Sequence, residues 1–278
     1  MKRFSQLAAP YVVWVALMIL LPMLLILFYA FTDSGNGVVN FTFTLDHFIR
    51  FFTDHDFLLI LWRSLVIAFK TTVICILLGY PIAYFIARSS DRVRNILVLV
   101  ITLPTWINML VRTYAWIGIL TQGGLLSNIL GFFGLGETEL LYTESAVLIG
   151  MVYNFIPFMI LQINTSLCKM DHSLLEASAD LGANKVQTFW RVTFPLSLPG
   201  VAAGAALVFI PVLGMFAIPD LVGGTDGIMI GNLIKSQFLD SRDWPFGSAL
   251  SIALTGCILL LVALGMGAAR ARKGGAHA

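Results

Sequence analysis

Charged side chains are scarce in this sequence. Asp, Glu, Lys and Arg make up 12% of its 278 residues, whereas soluble proteins carry about 25%. Hydrophobic residues reach 58%, and the mean hydropathy is +0.89. These values exclude an ordinary soluble domain and predict an all-α polytopic membrane protein, because a helix satisfies its own backbone hydrogen bonds in lipid. Membrane-spanning strands would instead alternate apolar and polar residues.

Motifs that enzymes and metal proteins commonly use are also missing. The sequence has no G-x-x-x-x-G-K-[ST] phosphate loop, and its four histidines and three cysteines form no ligand cluster. Cys75, Cys168 and Cys257 lie in or beside apolar runs, so a disulfide framework is not indicated. We therefore expect no catalysis, no cofactor and no metal. The net charge of only +2 does not suggest a nucleic-acid partner.

Apolar runs long enough to cross a bilayer recur along the chain, since about 20 helical residues span the hydrocarbon core. Two of these runs carry a basic residue, namely Lys70, which can reach the headgroups with its ammonium, and Arg112. The sequence predicts one transmembrane domain, residues 1–278, with six transmembrane helices. The predicted helices cover residues 10–31, 64–87, 95–120, 145–168, 196–221 and 244–269.

Basic residues are distributed unevenly between the predicted loops. Loops on the cytoplasmic side hold the excess of Lys and Arg near span ends. If the N-terminus is cytoplasmic, that side holds 11 of the 17 basic residues. They are Lys2, Arg3, Arg88, Arg92, Arg94, Lys169, Lys185, Arg191, Arg270, Arg272 and Lys273. We therefore expect both termini in the cytoplasm.

One polar stretch, EASADLGANKVQTFWRVTFP at residues 176–195, lies between the fourth and fifth predicted spans. Ser173 and Glu176 have the spacing of a capping box, and Gly182 has the position of a left-handed helix stop. These signals predict a short helix over residues 174–181.

A second helix is predicted directly after this glycine. Asn184 and Gln187 again have capping-box spacing, and Phe189 and Trp190 follow on an apolar face before Pro195. The residues alone leave two roles open. The helix pair is either an amphipathic connector in the membrane interface or a docking element that enters a groove on a soluble partner.

The same stretch resembles the signature of bacterial ABC importer permeases. The family pattern is Glu-Ala-Ala, three residues, Gly, nine residues and Ile-any-Leu-Pro, and this sequence has Glu-Ala-Ser, Gly182 and Val-Thr-Phe-Pro at the same spacing. The resemblance implies the type I ABC importer permease fold, with a coupling loop over residues 169–195 that docks on a cytoplasmic ATPase. The residues assigned to that loop's docking role are Glu176, Ala177, Ser178, Asp180, Gly182, Ala183 and Pro195.

Three further segments resemble the polyamine branch of that family, whose members carry spermidine and putrescine. They are FTLDHFIRFF, LPTWINMLVRTYAW and IGNLIKSQFLDSRDWPFGSAL. The resemblance implies a bacterial inner-membrane protein that works by alternating access with two ATPase subunits, a paralogous C-type permease and a periplasmic binding protein. Two alternatives are an importer for another small solute, such as an opine or amine, and an ion-coupled secondary transporter. The last of these would show more ionisable residues inside its spans.

Polar and aromatic residues within the spans are candidates for the substrate path. They are Asp220, Phe216, Tyr153, Trp116, Asn108 and Asn154. A carboxylate and aromatic faces both attract ammonium groups, which suits a polyamine. For Asp220 a helix cap or ion pair is the alternative, and for the asparagines it is hydrogen bonding between helices. Arg112 would repel a polycation, so we expect it to pair with an acid on this chain or a partner subunit.

Small residues in the fifth predicted span have a packing interpretation. Gly200 and Gly204 have G-x-x-x-G spacing, which allows two helices to approach closely. Pro211 and Pro219 are expected to kink the same span.

Overall fold

The long apolar stretches of this chain fold as helices. The computed structural model describes residues 2–34, 41–132, 140–171, 173–225 and 227–274. In chain order the helices are α1 (Lys2–Ala30), α2 (Asp46–Thr53), α3 (His55–Ala87), α4 (Asp91–Thr102), α5 (Met109–Leu120), α6 (Leu125–Phe132), α7 (Glu144–Cys168), α8 (Ser173–Asp180), α9 (Lys185–Thr188), α10 (Phe194–Leu213), α11 (Ala217–Val222), α12 (Ile230–Leu239) and α13 (Trp244–Gly274). Leu103–Trp106 forms a 3-10 turn and Phe189–Thr193 a π-helical turn. Strands β1 (Thr32–Ser34) and β2 (Phe41–Phe43) pair antiparallel, with Thr32 opposite Phe43.

Among the described residues, five continuous helical stretches are long and apolar enough to cross a bilayer. They are Pro10–Ala30, His55–Ala87, Glu144–Cys168, Lys185–Leu213 and Trp244–Gly265. The bent pair Asp91–Trp106 and Met109–Ile129 brings the number to six when it is counted as one span. The helical fold class predicted from composition is therefore confirmed.

The helix predicted over residues 95–120 is not continuous in the structure. α4 and the 3-10 turn precede a break, α5 follows it, and the two parts are bent by 90°. Pro104 favours the break because it has no backbone N–H to donate. The side chain of Asn108 then caps α5 by accepting a hydrogen bond from the Leu110 N–H at 2.8 Å. Hydropathy does not reveal this bend, since both halves are apolar.

The helix predicted over residues 196–221 also differs in its bounds. Its helical stretch begins earlier, at Lys185, and α10 ends at Leu213 before α11 starts as a separate short helix. Another backbone segment packs against this break. A Cβ atom placed on Gly231 would lie 2.5 Å from the carbonyl oxygen of Gly214.

The chain divides into two compact units, and Met1–Ile60 with Leu233–Ala278 form the first. In this unit α1 and α2 both pack against α13. The guanidinium of Arg50 in α2 lies 4.3 Å from the ring centre of Phe246, which is fully buried. The same guanidinium is 3.8 Å from the carboxylate of Asp243, whose Oδ1 also accepts a hydrogen bond from the Phe246 N–H. These contacts fasten α2 to the start of α13.

Leu61–Asn232 form the second unit, in which α10 packs along α7. Two glycines bring these helices together. A Cβ atom on Gly204 would lie 2.6 Å from the sulfur of Met159, and one on Gly200 would overlap the side chain of Ser166. The packing role predicted for the G-x-x-x-G spacing is therefore confirmed within this chain.

Lys70 has a partner that the sequence did not indicate. Its Nζ lies 2.6 Å from Oε1 of Glu144, the first residue of α7. Both side chains are partly exposed, so the pair adds little to stability by itself. It does place the middle of α3 beside the start of α7, where a carboxylate is favoured by the helix dipole.

Candidate functional site

The coupling segment, residues 169–195, begins with α8. Oδ1 of Asp171 accepts a hydrogen bond from the Ser173 N–H at 3.0 Å, and Ser173 is itself the first helical residue. The capping role predicted for Ser173 is therefore wrong. Asp171 supplies the acceptor instead, because its short side chain reaches the N–H two residues ahead. Glu176 remains in the first turn, where a negative charge is favourable.

The end of α8 is formed by Gly182, as the sequence predicts. This glycine has a φ of +79°, in the left-handed region that other residues enter at a cost. Its N–H donates to the Ala179 carbonyl at 2.9 Å, and the Ala183 N–H donates to the Ser178 carbonyl at 3.1 Å. These two bonds form a Schellman motif, which stops the helix and reverses the chain.

The second short helix, α9, starts with a complete capping box. Asn184 Oδ1 accepts from the Gln187 N–H at 2.9 Å, and Gln187 Oε1 accepts from the Asn184 N–H at 3.0 Å. The predicted start of this helix is thus confirmed. The hydroxyls of Ser178 and Thr188 lie 2.9 Å apart and join α8 to the end of α9. Ser178 is the residue that departs from the family alanine, and it is the buried member of α8.

The coupling segment exposes several large apolar side chains. Leu181 is 87% exposed and Val186 and Trp190 are mostly exposed as well. Beside them lies an open groove of about 750 Å³. Its lining includes Ala177, Ser178, Gly182, Ala183 and Pro195 from the family motif. Glu176 and Asp180 are exposed in the same segment. Exposed apolar side chains next to a groove are typical of a surface that contacts another protein or the membrane interface.

Aromatic packing joins the coupling segment to α3. The ring of Phe189, at the start of the π-helical turn, lies edge-to-face on Tyr80 at 5.7 Å and on Tyr84 at 5.5 Å. The Tyr80 hydroxyl is 2.8 Å from the Ser197 hydroxyl in α10. Lys185–Leu213 is one helical stretch, so α9 is joined to the apolar part of α10 without an intervening loop.

The candidate path residues Asp220 and Phe216 lie together at α11 and share one partner. The side-chain amide of Asn232 donates to Oδ1 of Asp220 and, at 2.9 Å, to the carbonyl oxygen of Phe216. Oδ1 of Asn232 accepts from the Met229 N–H at 3.0 Å. Asn232 is buried, whereas Asp220 is exposed. The sequence interpretation did not single out Asn232, although it lies in the quoted segment IGNLIKSQF.

The candidates Trp116 and Tyr153 are also brought together. Their ring centres are 5.3 Å apart at 70°, an edge-to-face contact between α5 and α7. The guanidinium of Arg112 lies 5.9 Å from the Tyr153 ring centre. Among the salt bridges found in the described part of the chain, none involves Arg112, so the acid partner expected for it on this chain is not seen there. The Tyr153 ring is the group that the structure places beside the Arg112 guanidinium.

The two candidate asparagines have local partners. Asn154 is 4% exposed, and its amide donates to the Gly150 carbonyl one turn earlier in α7 at 2.8 Å. Asn108 caps α5 at the 90° bend, so its role is to start a helix and not to join two helices. α11, which carries Asp220, packs against both α5 and α7. The structure thus gathers the Asp220 and Trp116 groups on neighbouring helices of one unit.

Comparison with known proteins identifies the family of this chain. Residues 76–272 match the family model described as binding-protein-dependent transport system inner membrane component. The spermidine/putrescine transport system permease protein PotB of Escherichia coli is 42% identical over 245 residues, covering 87% of this chain and 89% of that protein. PotB of Salmonella typhimurium is 42% identical over 254 residues, covering 89% and 88%.

A solved structure shares the fold at low sequence identity. It is a crystal structure of a bacterial ABC transporter involved in the import of the acidic polysaccharide alginate. The superposition has a TM-score of 0.75 at 20% identity and covers 97% of this chain and 96% of the other. The chain therefore has the fold of an ABC importer permease, as its Glu176 motif implied.

Proposed function

The chain belongs to the family of binding-protein-dependent transport system inner membrane components, and we propose that it is the polyamine-carrying permease of an ATP-driven importer. Its apolar helices make it a multi-pass inner-membrane protein, and its relatives are non-catalytic membrane subunits of transporters. The similarity to PotB over most of both chains is the observation that carries the choice of spermidine and putrescine as cargo.

Energy for transport comes, in this proposal, from two copies of a separate cytoplasmic ATPase. The coupling segment supplies the docking surface, with exposed Leu181 and the adjoining groove. Both short helices are held by caps, and the Ser178–Thr188 hydrogen bond joins them, so the pair moves as one body. Movement of this body is passed to α10 through the continuous helix and to α7 through the Gly200 and Gly204 contacts.

The path for the cargo lies, in this proposal, near the exposed carboxylate of Asp220. Asn232 orients that carboxylate, and the aromatic rings of Phe216 and Trp116 offer faces to an ammonium group. Tyr153 packs on Trp116 and has the Arg112 guanidinium near its own ring. A paralogous permease of C type contributes the facing half of the path, and a periplasmic binding protein delivers the polyamine. Alternating access then exposes the path first to the outside and then to the cytoplasm.

Orientation is part of the same proposal. The excess of basic residues places both termini and the coupling segment in the cytoplasm, as docking on a cytoplasmic ATPase requires. An importer for another amine or an opine is the second candidate, because related permeases share this coupling segment. Membership of the family argues against an ion-coupled secondary transporter.

The cargo is tested by uptake into vesicles that contain the assembled importer with its ATPase side facing the lumen. ATP is enclosed in the lumen, and the binding protein and the labelled solute are added outside. We expect ATP-dependent accumulation of radiolabelled spermidine and putrescine, and no accumulation in the absence of the binding protein. An opine serves as the comparison solute. Uptake of the opine but of neither polyamine would reject the polyamine assignment and retain the importer.

A further inference from the structure

A small cavity lies beside the coupling segment, where five helical elements meet. It measures about 80 Å³ and is bounded by the ends of α3 and α7, by α4 and α8, and by the π-helical turn. One water in the liquid occupies about 30 Å³. The cavity is therefore large enough for a small polyatomic group. The lining residues that matter here are Tyr84, Arg88, Arg94, Leu175 and Thr193.

The charge around this cavity is positive. Arg88 and Arg94 both line it, and none of the described lining residues is acidic. The Arg88 guanidinium lies 4.3 Å from the ring centre of Tyr84, and this stacking fixes its position. Arg94 donates through Nη2 to Asp91, whose side chain is 84% exposed. A guanidinium has five N–H donors, so this bond uses only one of them.

A buried hydroxyl lies within the wall. Thr193 is 3% exposed, and its Oγ1, which a water molecule cannot reach, has no hydrogen-bond partner among the described residues. The Thr193 hydroxyl therefore does not face the cavity, and the donors that line it are those of the two arginines.

We propose that this cavity binds one phosphate group, carried by an anionic phospholipid headgroup or present as free phosphate. Arginine forks match the oxygens of a phosphate, and basic pockets between transmembrane helices are known to take phospholipid headgroups. Leu175 belongs to α8, so the phosphate is bound where the coupling segment meets the end of α3 and the start of α4. The site does not depend on which solute the permease carries.

The test uses the assembled importer purified from vesicles of phosphatidylcholine with phosphatidylglycerol. Native mass spectrometry counts the phosphatidylglycerol that stays bound. We expect retention by the wild type and about tenfold weaker retention in Arg88→Gln, equivalent to about 1.4 kcal/mol. Arg92→Gln is the matched control, because Arg92 lies in α4 beside these residues, is exposed and does not line the cavity. It should retain the lipid as the wild type does.

Two arms distinguish the sources of the phosphate. If excess inorganic phosphate fails to displace the lipid, the site belongs to a headgroup. If inorganic phosphate binds to the delipidated importer and this binding is lost in Arg88→Gln, the site belongs to the free ion. Arg94→Gln removes the second guanidinium that lines the cavity, so it should weaken retention severalfold without changing assembly. Equal retention in the wild type, Arg88→Gln and Arg94→Gln would overturn the site. Loss of the ATPase from Arg88→Gln with lipid still bound would also overturn it, because Arg88 would then serve a carboxylate of that partner.

Discussion

The hydroxyl of Ser178 lies 2.9 Å from the hydroxyl of Thr188 and joins the two short helices of the coupling segment. The family signature that this segment resembles has alanine at the first position, which has no hydroxyl for such a bond. Ser178 is 9% exposed, so water does not readily replace the Thr188 hydroxyl as its hydrogen-bond partner. The bond makes the helix pair stiffer at the surface that we propose for docking.

Thr188→Val should destabilise the importer more than the double change Ser178→Ala with Thr188→Val. The single variant leaves a buried hydroxyl unsatisfied, which costs about 1–3 kcal/mol, whereas removing both partners is close to neutral. Thermal unfolding of the purified complex measures the difference. Thr165→Val is the control, since the Thr165 hydroxyl is exposed and bonds only within its own helix. Equal unfolding temperatures for the single and double variants would contradict the assignment.

Gly182→Ala should weaken retention of the ATPase while the chain still inserts. The glycine has a φ of +79°, and an alanine there costs about 1–2 kcal/mol, although no atom lies within 4 Å of the added Cβ. Gly182→Asn should do less harm, because asparagine enters this region more readily. Co-purification of the ATPase is the measurement, and Gly256→Ala in α13, also in open space, is the control. The docking role fails if Gly182→Ala retains the ATPase fully.

Gly200→Ala should be more damaging than Gly204→Ala. An added Cβ at Gly200 meets the Gln162 carbonyl at 2.8 Å, which is backbone, whereas at Gly204 it meets the flexible end of Met159. Overpacking of this kind costs about 1–3 kcal/mol. Thermal stability of the purified chain tests the order, with Gly256→Ala again as the control. A larger loss of stability in Gly204→Ala than in Gly200→Ala would contradict this packing argument, because the backbone at Gln162 would then yield more easily than the Met159 side chain.

Cysteine labelling tests the orientation. In a background without native cysteines, Ser241→Cys should react with a membrane-impermeant thiol reagent added to intact cells, and Gly274→Cys should not. The distribution of basic residues is the physical reason. Gly274→Cys should become reactive only after the cells are opened. Labelling of Gly274→Cys in sealed cells would reverse the topology and move the coupling segment outside.

Asp220→Asn should lower polyamine uptake without affecting assembly. It removes the charge and keeps the size, and a hydrogen bond between charged groups contributes about 1.5–3 kcal/mol, which corresponds to about tenfold or more in rate. Asp240→Asn is the matched control, because Asp240 is exposed and lies just after α12. Uptake of spermidine and putrescine is measured alongside co-purification of the partners. Normal uptake in Asp220→Asn would remove this carboxylate from the path.

The sequence by itself determined the parts of this protein that depend on local chemistry. Hydrophobic content predicted the membrane helices, and the glycine at position 182 and the Asn184–Gln187 pair predicted a helix end and a helix start that the structure has. Such signals are readable because a left-handed turn or a helix cap is formed by residues a few positions apart. The Glu176 motif pointed to the importer family through its resemblance to the signature of that family.

Only the tertiary structure decided the features that join distant residues. The break after Leu213 and the Lys70–Glu144 pair depend on packing between separate segments of the chain, and the hydrogen bond from Asn232 to Asp220 joins two different helices. The hydropathy does not show the 90° bend before α5. Apolar composition is the same on both sides of a bend. A polar side chain in a membrane helix also reads the same whether it caps its own helix, as Asn108 does, or reaches across to another. The partner is chosen by the three-dimensional arrangement, because a buried polar group bonds to whatever lies within about 3 Å of it.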